Sequence, residues 1–352
     1  MIHLVYPHLN KISAPNVIGH KLIEFLSKSS AVRAYNWDEF RTIIPEPGDV
    51  LIGHVCPAPF TVMKRALKEE GWFKKIIMQP YNEDVRQIGF LDAYIDDCDA
   101  FLAITGKYWF ERVASTQFAH WLPKMIHLDL AVDKEHFPYL KTTFNGEGKR
   151  KFLYIGNDRA GKNLDYLEEI FEKLPTIEIH TIGKVPSTRR FINHGYLNFK
   201  EKSNKELLNT FDFMITVGNA DANPTTVLES MSWGLIPVCT PTSGYVNEQG
   251  IVNVPLGDAQ AARDIIESLN AMPQSGLIQL QIEGQKALRD NYNWPVFLNK
   301  VKAQIEIKGA QVLSGEVCRA GAVIKGDISQ LCKYFIKAIL KNAERIWAKA
   351  RN

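Results

Sequence analysis

Residues 212–240 read DFMITVGNADANPTTVLESMSWGLIPVCT. A run of β-formers, 213–217, ends at Gly218 and a polar loop. Asn223 is a good helix N-cap, and Pro224 suits the first helical position, where a missing N–H is not needed. Val227, Leu228 and Met231 then share one apolar face, and Gly234 is placed to stop the helix before a second strand, 235–240. The stretch reads as a strand–loop–helix–strand unit of a parallel sheet. Its helix N-terminus lies open at the carboxyl end of a strand.

Such a terminus presents unpaired N–H groups, here of Thr225, Thr226 and Val227, and a dipole that favours an anion. Glu229 follows Pro224 by roughly 7–8 Å along the axis, at about 1.5 Å per residue. A diphosphate at the helix tip leaves Glu229 within reach of an adjoining ribose, whose two hydroxyls a carboxylate accepts. Asp221 stands in the loop, on the side where the rest of a ligand projects.

At 352 residues the chain is too long for one ordinary core and suits two domains. Its 45% hydrophobic and 23% charged residues are those of a soluble globular protein, and no apolar run reaches the ~18–20 residues of a membrane span. The opening residues carry no basic leader and no small-residue cleavage site, so they do not read as a signal peptide. Five scattered cysteines, Cys56, Cys98, Cys239, Cys318 and Cys332, form no Cys-x-x-Cys pair. That argues against structural zinc and a disulfide framework, and the default expectation is a reducing cytoplasm. The net charge of +3 is uneven: residues 327–352 hold six Lys or Arg against two Asp or Glu, and the remaining chain sums to −1. The body therefore offers no basic face for nucleic acid.

The first half alternates strand-like runs (2–6, 49–55, 75–81, 100–105, 125–132) with helix-like ones. Ile18, Leu22, Phe25 and Leu26 share a helical face, and 60–70 and 108–115 are further helices. Alternation of this kind means a doubly wound parallel sheet with ligand loops at the strands' carboxyl ends. Residues 142–151 are polar and Gly-rich, as domain joints tend to be. The pattern then restarts with a strand, 151–155, ending at Gly156, and a helical face from Leu164 to Leu174. The loop between them carries Arg159 and Lys162, which suit a diphosphate as fork and point charge. A strand at 177–183 follows, and Ser203-x-x-Glu206 is a capping box for the helix before the focal strand.

These residues resemble a known family. Glu229-Ser230-Met231, Gly234 and Pro237-Val238 look like the Glu-(Ala/Ser)-Met-x-x-Gly-x-Pro-Val tail of the Glu-x7-Glu region in the retaining GT-B glycosyltransferases of family 4. The first Glu of that region is Asp221 here, one methylene shorter. Residues 98–105 resemble the family's Ala-Asp-x-(Val/Ile)-x-x-x-Ser strand, and Leu130-Ala131-Val132-Asp133 with Phe137 its Asn-Gly-Val-Asp-x-x-x-Phe. Gly156 and Lys162 match the spacing of its donor loop, whose Arg position is Asn157 here, with Arg159 two residues on. His194-Gly195-Tyr196, Gly244, Gly250 and Asn293-Trp294-x-x-Phe297 follow the family's order, so the likeness covers about 98–305.

The resemblance implies an α/β GT-B fold of two Rossmann-like doubly wound domains facing a cleft. Residues 1–145 would bind the acceptor, 146–300 the nucleotide-sugar donor, and 301–352 would form a tail with an amphipathic helix. It further implies transfer of a hexose from a UDP- or GDP-type sugar to a glycan acceptor, with retention and without metal or other cofactor. Gly156, Arg159, Lys162, Asn223 and the Thr225–Thr226–Val227 amides would hold the donor, Glu229 its ribose, and Asp221 the sugar. Family members often carry a histidine near the sugar; the corresponding residues, 78–82, have none, which leaves Gln79, Tyr81 or Asn82 as hydrogen-bonding groups. His54, at another strand's end, is a further candidate on the acceptor side.

Asp97-Cys98-Asp99 matches the Asp-x-Asp of metal-dependent GT-A enzymes, but it precedes a strand instead of ending one. In the tail, Lys333, Lys337, Lys341, Arg345, Lys349 and Arg351 share one half of a helical wheel opposite Phe335, Ile336, Ile339, Leu340 and Trp347. Such a helix either packs on the protein or meets an anionic membrane surface, making a cytoplasmic enzyme peripheral. Two rival functions stay open: a sugar-nucleotide epimerase or hydrolase, and a catalytically inactive nucleotide-sugar-binding partner.

Overall fold

Short runs of branched and aromatic residues form the strands, and the central ones are buried on both faces because helices cover both sides of each sheet. The computed structural model describes residues 1–7, 13–58, 61–186, 188 and 190–307; the basic segment 327–352 lies outside them. Among the described residues no helix is long and apolar enough to cross a membrane.

The first half runs β1 (Ile2–Val5), α1 (Ala14–Leu26), β2 (Val32–Tyr35), β3 (Val50–His54), α2 (Val62–Lys68), β4 (Lys74–Pro80), the single turns α3 (Val85–Ile88) and α4 (Asp92–Ile95), β5 (Ala100–Ile104), α5 (Lys107–Arg112) and β6 (Met125–Leu128). The second runs β7 (Lys151–Asn157), α6 (Leu164–Glu172), β8 (Glu178–Lys184), β9 (Ile192–Asn193), α7 (Lys202–Asn209), β10 (Phe213–Thr216), α8 (Thr225–Trp233), β11 (Ile236–Cys239), β12 (Val252–Asn253), α9 (Ala259–Ala271), α10 (Gln274–Asp290) and α11 (Trp294–Glu306). Each half folds into a six-stranded parallel sheet, ordered β2-β1-β3-β4-β5-β6 and β12-β11-β10-β7-β8-β9. The strand order reverses beside β1 in one sheet and beside β7 in the other, and crevices for ligands open at such points.

Several local expectations are corrected. β2 escapes the sequence pattern because it is a short edge strand with Arg33 exposed. The Ser203 capping box does not form: α7 begins at Lys202, and the Glu201 carbonyl accepts the Lys205 N–H, so Ser203 is already inside the first turn. α11 runs unbroken through residues 300 and 301, where the tail was expected to begin, and packs Phe297, Leu298, Val301 and Ile305 into a core shared with Ile18, Leu22 and Leu26 of α1. The last described helix therefore returns to the first half.

The joint at 142–150 is not a loose tether either. Phe144 and Arg150 are buried there, and Lys141 just before it is 2% exposed. Lys141 Nζ lies 3.0 Å from Asp212 Oδ1, and Asp212 is fully buried. The same carboxylate accepts the Asn145 N–H at 2.9 Å, the Asn145 Nδ2–H at 2.7 Å and the Lys151 N–H at 2.9 Å. Burial pulls the Lys141 ammonium below its ordinary range, opposed by Asp212. A buried pair of this kind is hard to break from one side, because the survivor is left charged without a partner. We therefore expect Asp212→Ala to lose ~3–5 kcal/mol in chemical denaturation. A loss under about 1 kcal/mol, the range of a surface pair, would contradict this.

Candidate active site

At the reversal beside β7, the loop after β7 and the loop after β10 lie against each other. The Asn219 N–H donates to the Gly161 carbonyl at 3.1 Å, and Lys162 Nζ forms an ion pair with the Asp221 carboxylate. Lys162 ends a single 3-10 turn, and Asn163 after it takes the left-handed conformation (φ 56°), which asparagine tolerates better than most residues. The loop after β11 braces the pair from behind. Thr240 and Thr242 hydroxyls both donate to the Gly218 carbonyl, at 2.7 and 2.6 Å, and the Asp221 N–H donates to the Thr242 carbonyl at 3.1 Å.

α8 begins at Thr225, one residue later than expected, with Pro224 as its N-cap in an extended conformation. Asn223 is not the cap, because its Oδ1 is committed to the buried Tyr245 hydroxyl at 3.0 Å. The buried Asn223 Nδ2 keeps no hydrogen-bond acceptor within the described residues. The Val227 N–H turns back to the Pro224 carbonyl at 3.2 Å and drops out of the expected anion set, whereas the Thr225 and Thr226 amides have no acceptor there. Gly234 (φ 93°) ends the helix as expected. Glu229 sits one turn beyond Thr225; burial raises its carboxyl to about 7, opposed in part by the Thr225 side chain.

The other expected residues divide. Gly156 lies inside the β7–β8 ladder opposite Gly183, not past the strand's end, since β7 continues to Asn157. Arg159 is exposed, and its backbone N–H is bonded to Asn157 Oδ1 at 3.2 Å. In the first half, His54 ends β3 between the rings of Tyr6 and Trp37, with Nδ1 on the Val55 carbonyl at 2.8 Å. Burial lowers it to about 4, so it is a neutral imidazole at pH 7. Gln79 is buried in β4, and its Oε1 has no hydrogen-bond partner among the described residues. Tyr81 differs from the expectation: its ring is fully buried in the core, against Phe118 and Trp121. Asp97 and Asp99 lie at the amino end of β5, bonded to Lys68 and to the Lys75 N–H, and no group of three or more potential metal ligands occurs among the described residues.

Three groups of the first half also reach this site, of which sequence reasoning had named Asn82 and had missed Gly106 and Trp109. Asn82 Nδ2, the Gly106 N–H and Trp109 Nε1 donate to the carbonyls of Ala220, Ala222 and Asp221. The first half thus closes directly onto the loop that carries Asp221.

No protein-family model matches the sequence, and no curated protein matches it. Solved structures do. A glycosyltransferase from Rickettsia africae is 12% identical over 90% of this chain and 99% of its own, with a TM-score of 0.63. HepE from Anabaena, in complex with UDP and glucose, is 9% identical over 87% and 99%, with a TM-score of 0.59. TarM is 11% identical over 81% of this chain, with a TM-score of 0.57, and the chain spans 58% of TarM's length. The fold is GT-B.

Within this GT-B frame Lys162, in the loop after β7, pairs with Asp221, in the loop after β10, and Asn223, Thr225, Thr226 and Glu229 follow Asp221 along that loop and α8. The Glu229 environment has a definite pH signature. Its folded-state carboxyl holds a proton up to about 7, against 4.5 ordinarily, so stability from this group is present below 4.5 and lost as pH rises through 7. Relative to Glu229→Gln, the wild type should lose ~2–3 kcal/mol across that window in the absence of ligand. Parallel stability–pH curves for the two proteins would show that the carboxyl is not desolvated.

Proposed function

We propose that the protein is a glycosyltransferase that moves a hexose from a UDP- or GDP-type sugar to a glycan acceptor. The observation that carries the reading is the meeting of a lysine, a carboxylate and the open N-terminus of α8 at the β7–β10 crevice, with Glu229 one turn into the helix. A diphosphate satisfies both cationic features at once. It would take Lys162 from Asp221 and accept the Thr225 and Thr226 amides, with Arg159 swinging in from the surface. Glu229 then accepts the ribose hydroxyls, a role that favours its ionised form. Asp221, released from Lys162, faces the sugar.

Charge builds on the leaving diphosphate oxygens as the glycosidic bond breaks, so cations and amides already aimed there lower the barrier most. HepE was solved with UDP and glucose, and a similar donor here is consistent with that likeness. On this reading residues 1–145 bind the acceptor and 146–300 the donor, while retention, membership of family 4 and independence of metals remain implications of the sequence motifs. A cytoplasmic location, with 327–352 either packed on the protein or at a membrane surface, belongs to the same proposal.

The test is release of UDP or GDP from UDP- and GDP-hexoses, with and without a panel of oligosaccharide and glycolipid acceptors. The transferase reading expects release that rises with acceptor, and a drop of about 10²–10³-fold in Lys162→Ala. Acceptor-independent release would make the protein a hydrolase, and nucleotide binding without turnover would make it a non-catalytic partner.

A further inference from the structure

We infer that α5 and its preceding Gly106 form a clasp through which the first half sets the position of Asp221, with Trp109 as the positioning residue; this rests on the donor-site reading above. The contacts are unusual in their target. Three consecutive carbonyls of the loop after β10 are each taken by a different group of the first half: Ala220 by Asn82 Nδ2 at 3.1 Å, Asp221 by Trp109 Nε1 at 2.8 Å, and Ala222 by the Gly106 N–H at 2.9 Å. A fourth bond, Tyr108 N–H to the Gly244 carbonyl at 3.3 Å, ties α5 to the loop that braces Asp221 from behind. All four acceptors are main-chain atoms, so the clasp fixes the path of the loop and leaves its side chains free to act.

Two features make the joint rigid. Trp109 is 4% exposed and its indole packs edge-on against Tyr108 at 4.9 Å. A buried indole N–H deprived of the Asp221 carbonyl would be left without a partner, which opposes opening. Gly106 is required by proximity alone: its φ of −81° suits any residue, but a Cβ there would stand 1.9 Å from the Gly244 carbonyl oxygen. The halves touch backbone to backbone.

Asp221 is consequently held at three points. Its N–H is on Thr242, its carbonyl is on Trp109, and its carboxylate is on Lys162. A diphosphate that takes Lys162 releases only the carboxylate. With the main chain pinned, the remaining freedom is side-chain rotation, and the carboxylate turns to the sugar without the loop moving. If the first half swings away, the carbonyl bond goes and that placement is lost. Docking of the acceptor-side half is thereby coupled to handling of the sugar, while nucleotide binding, which uses α8 and Lys162, is not.

The test uses the full chain with Trp109→Phe, which removes the indole N–H, and Gly106→Ala, which wedges the joint without thinning the core. In both, hydrogen exchange at 218–224 should rise about tenfold while α8 and β7 stay as in the wild type. UDP or GDP affinity should hold within about twofold, while kcat for transfer falls about 10- to 100-fold with donor KM little changed. Unchanged exchange at 218–224 in both variants overturns the clasp, and so does a kcat equal to that of the wild type. If the wild type binds neither nucleotide, the donor reading falls by itself; exchange at 218–224 still decides whether the clasp holds the loop.

Discussion

Four donors converge on one buried carboxylate, Asp212, and the crevice above depends on that convergence. Lys141, both nitrogens of Asn145 and the Lys151 N–H all meet there. Asp212 precedes β10 and Lys151 opens β7, so the anchor sets these neighbouring strands side by side at their starts. β10 is only four residues long, or roughly 13 Å at about 3.3 Å per residue. Fixing its start therefore fixes where the loop carrying Asp221 emerges, and where it meets the loop carrying Lys162. The stability of the joint and the geometry of the site are one constraint seen from two ends.

At the far end of those strands the charges compensate one another. Lys162 and Asp221 pair, the Thr225 and Thr226 amides lack acceptors among the described residues, and Glu229 is desolvated. On the proposed reading, an anionic ligand with adjoining hydroxyls would exchange for Asp221 on Lys162, accept the two amides and meet Glu229. The GT-B fold supplies the same logic at a larger scale, since a parallel sheet opens a crevice where its strand order reverses. The second half holds these groups, and the first half reaches their loops by hydrogen bonds to main-chain carbonyls.

Much of this was legible in the sequence, for physical reasons. β10, α8 and β11 were readable because an apolar run, a Pro-led polar turn and Gly234 leave little alternative. The start of α8 was misplaced by one residue because Pro224 suits both the cap and the first turn, and the deciding bond, Asn223 to Tyr245, comes from 22 residues away. The Lys162–Asp221 pair spans 59 residues, and each partner read separately as a ligand group. Tyr81 was taken for a cleft residue because it follows β4 at its carboxyl end, whereas its ring turns into the cluster holding Ile77, Phe118 and Trp121. Of the clasp only Asn82 stood out in the sequence: its acceptors are carbonyls, which every residue has.

The central claim, that the N-terminus of α8 and Glu229 form a nucleotide-sugar site, is tested most directly by calorimetric titration of UDP, GDP, ADP and CMP into the wild type and Glu229→Ala. The account predicts that one nucleoside diphosphate binds at micromolar strength and that the variant loses ~1.5–3 kcal/mol, as for a hydrogen bond to a charged group. No binding by any of the four, or equal binding by both proteins, would contradict it.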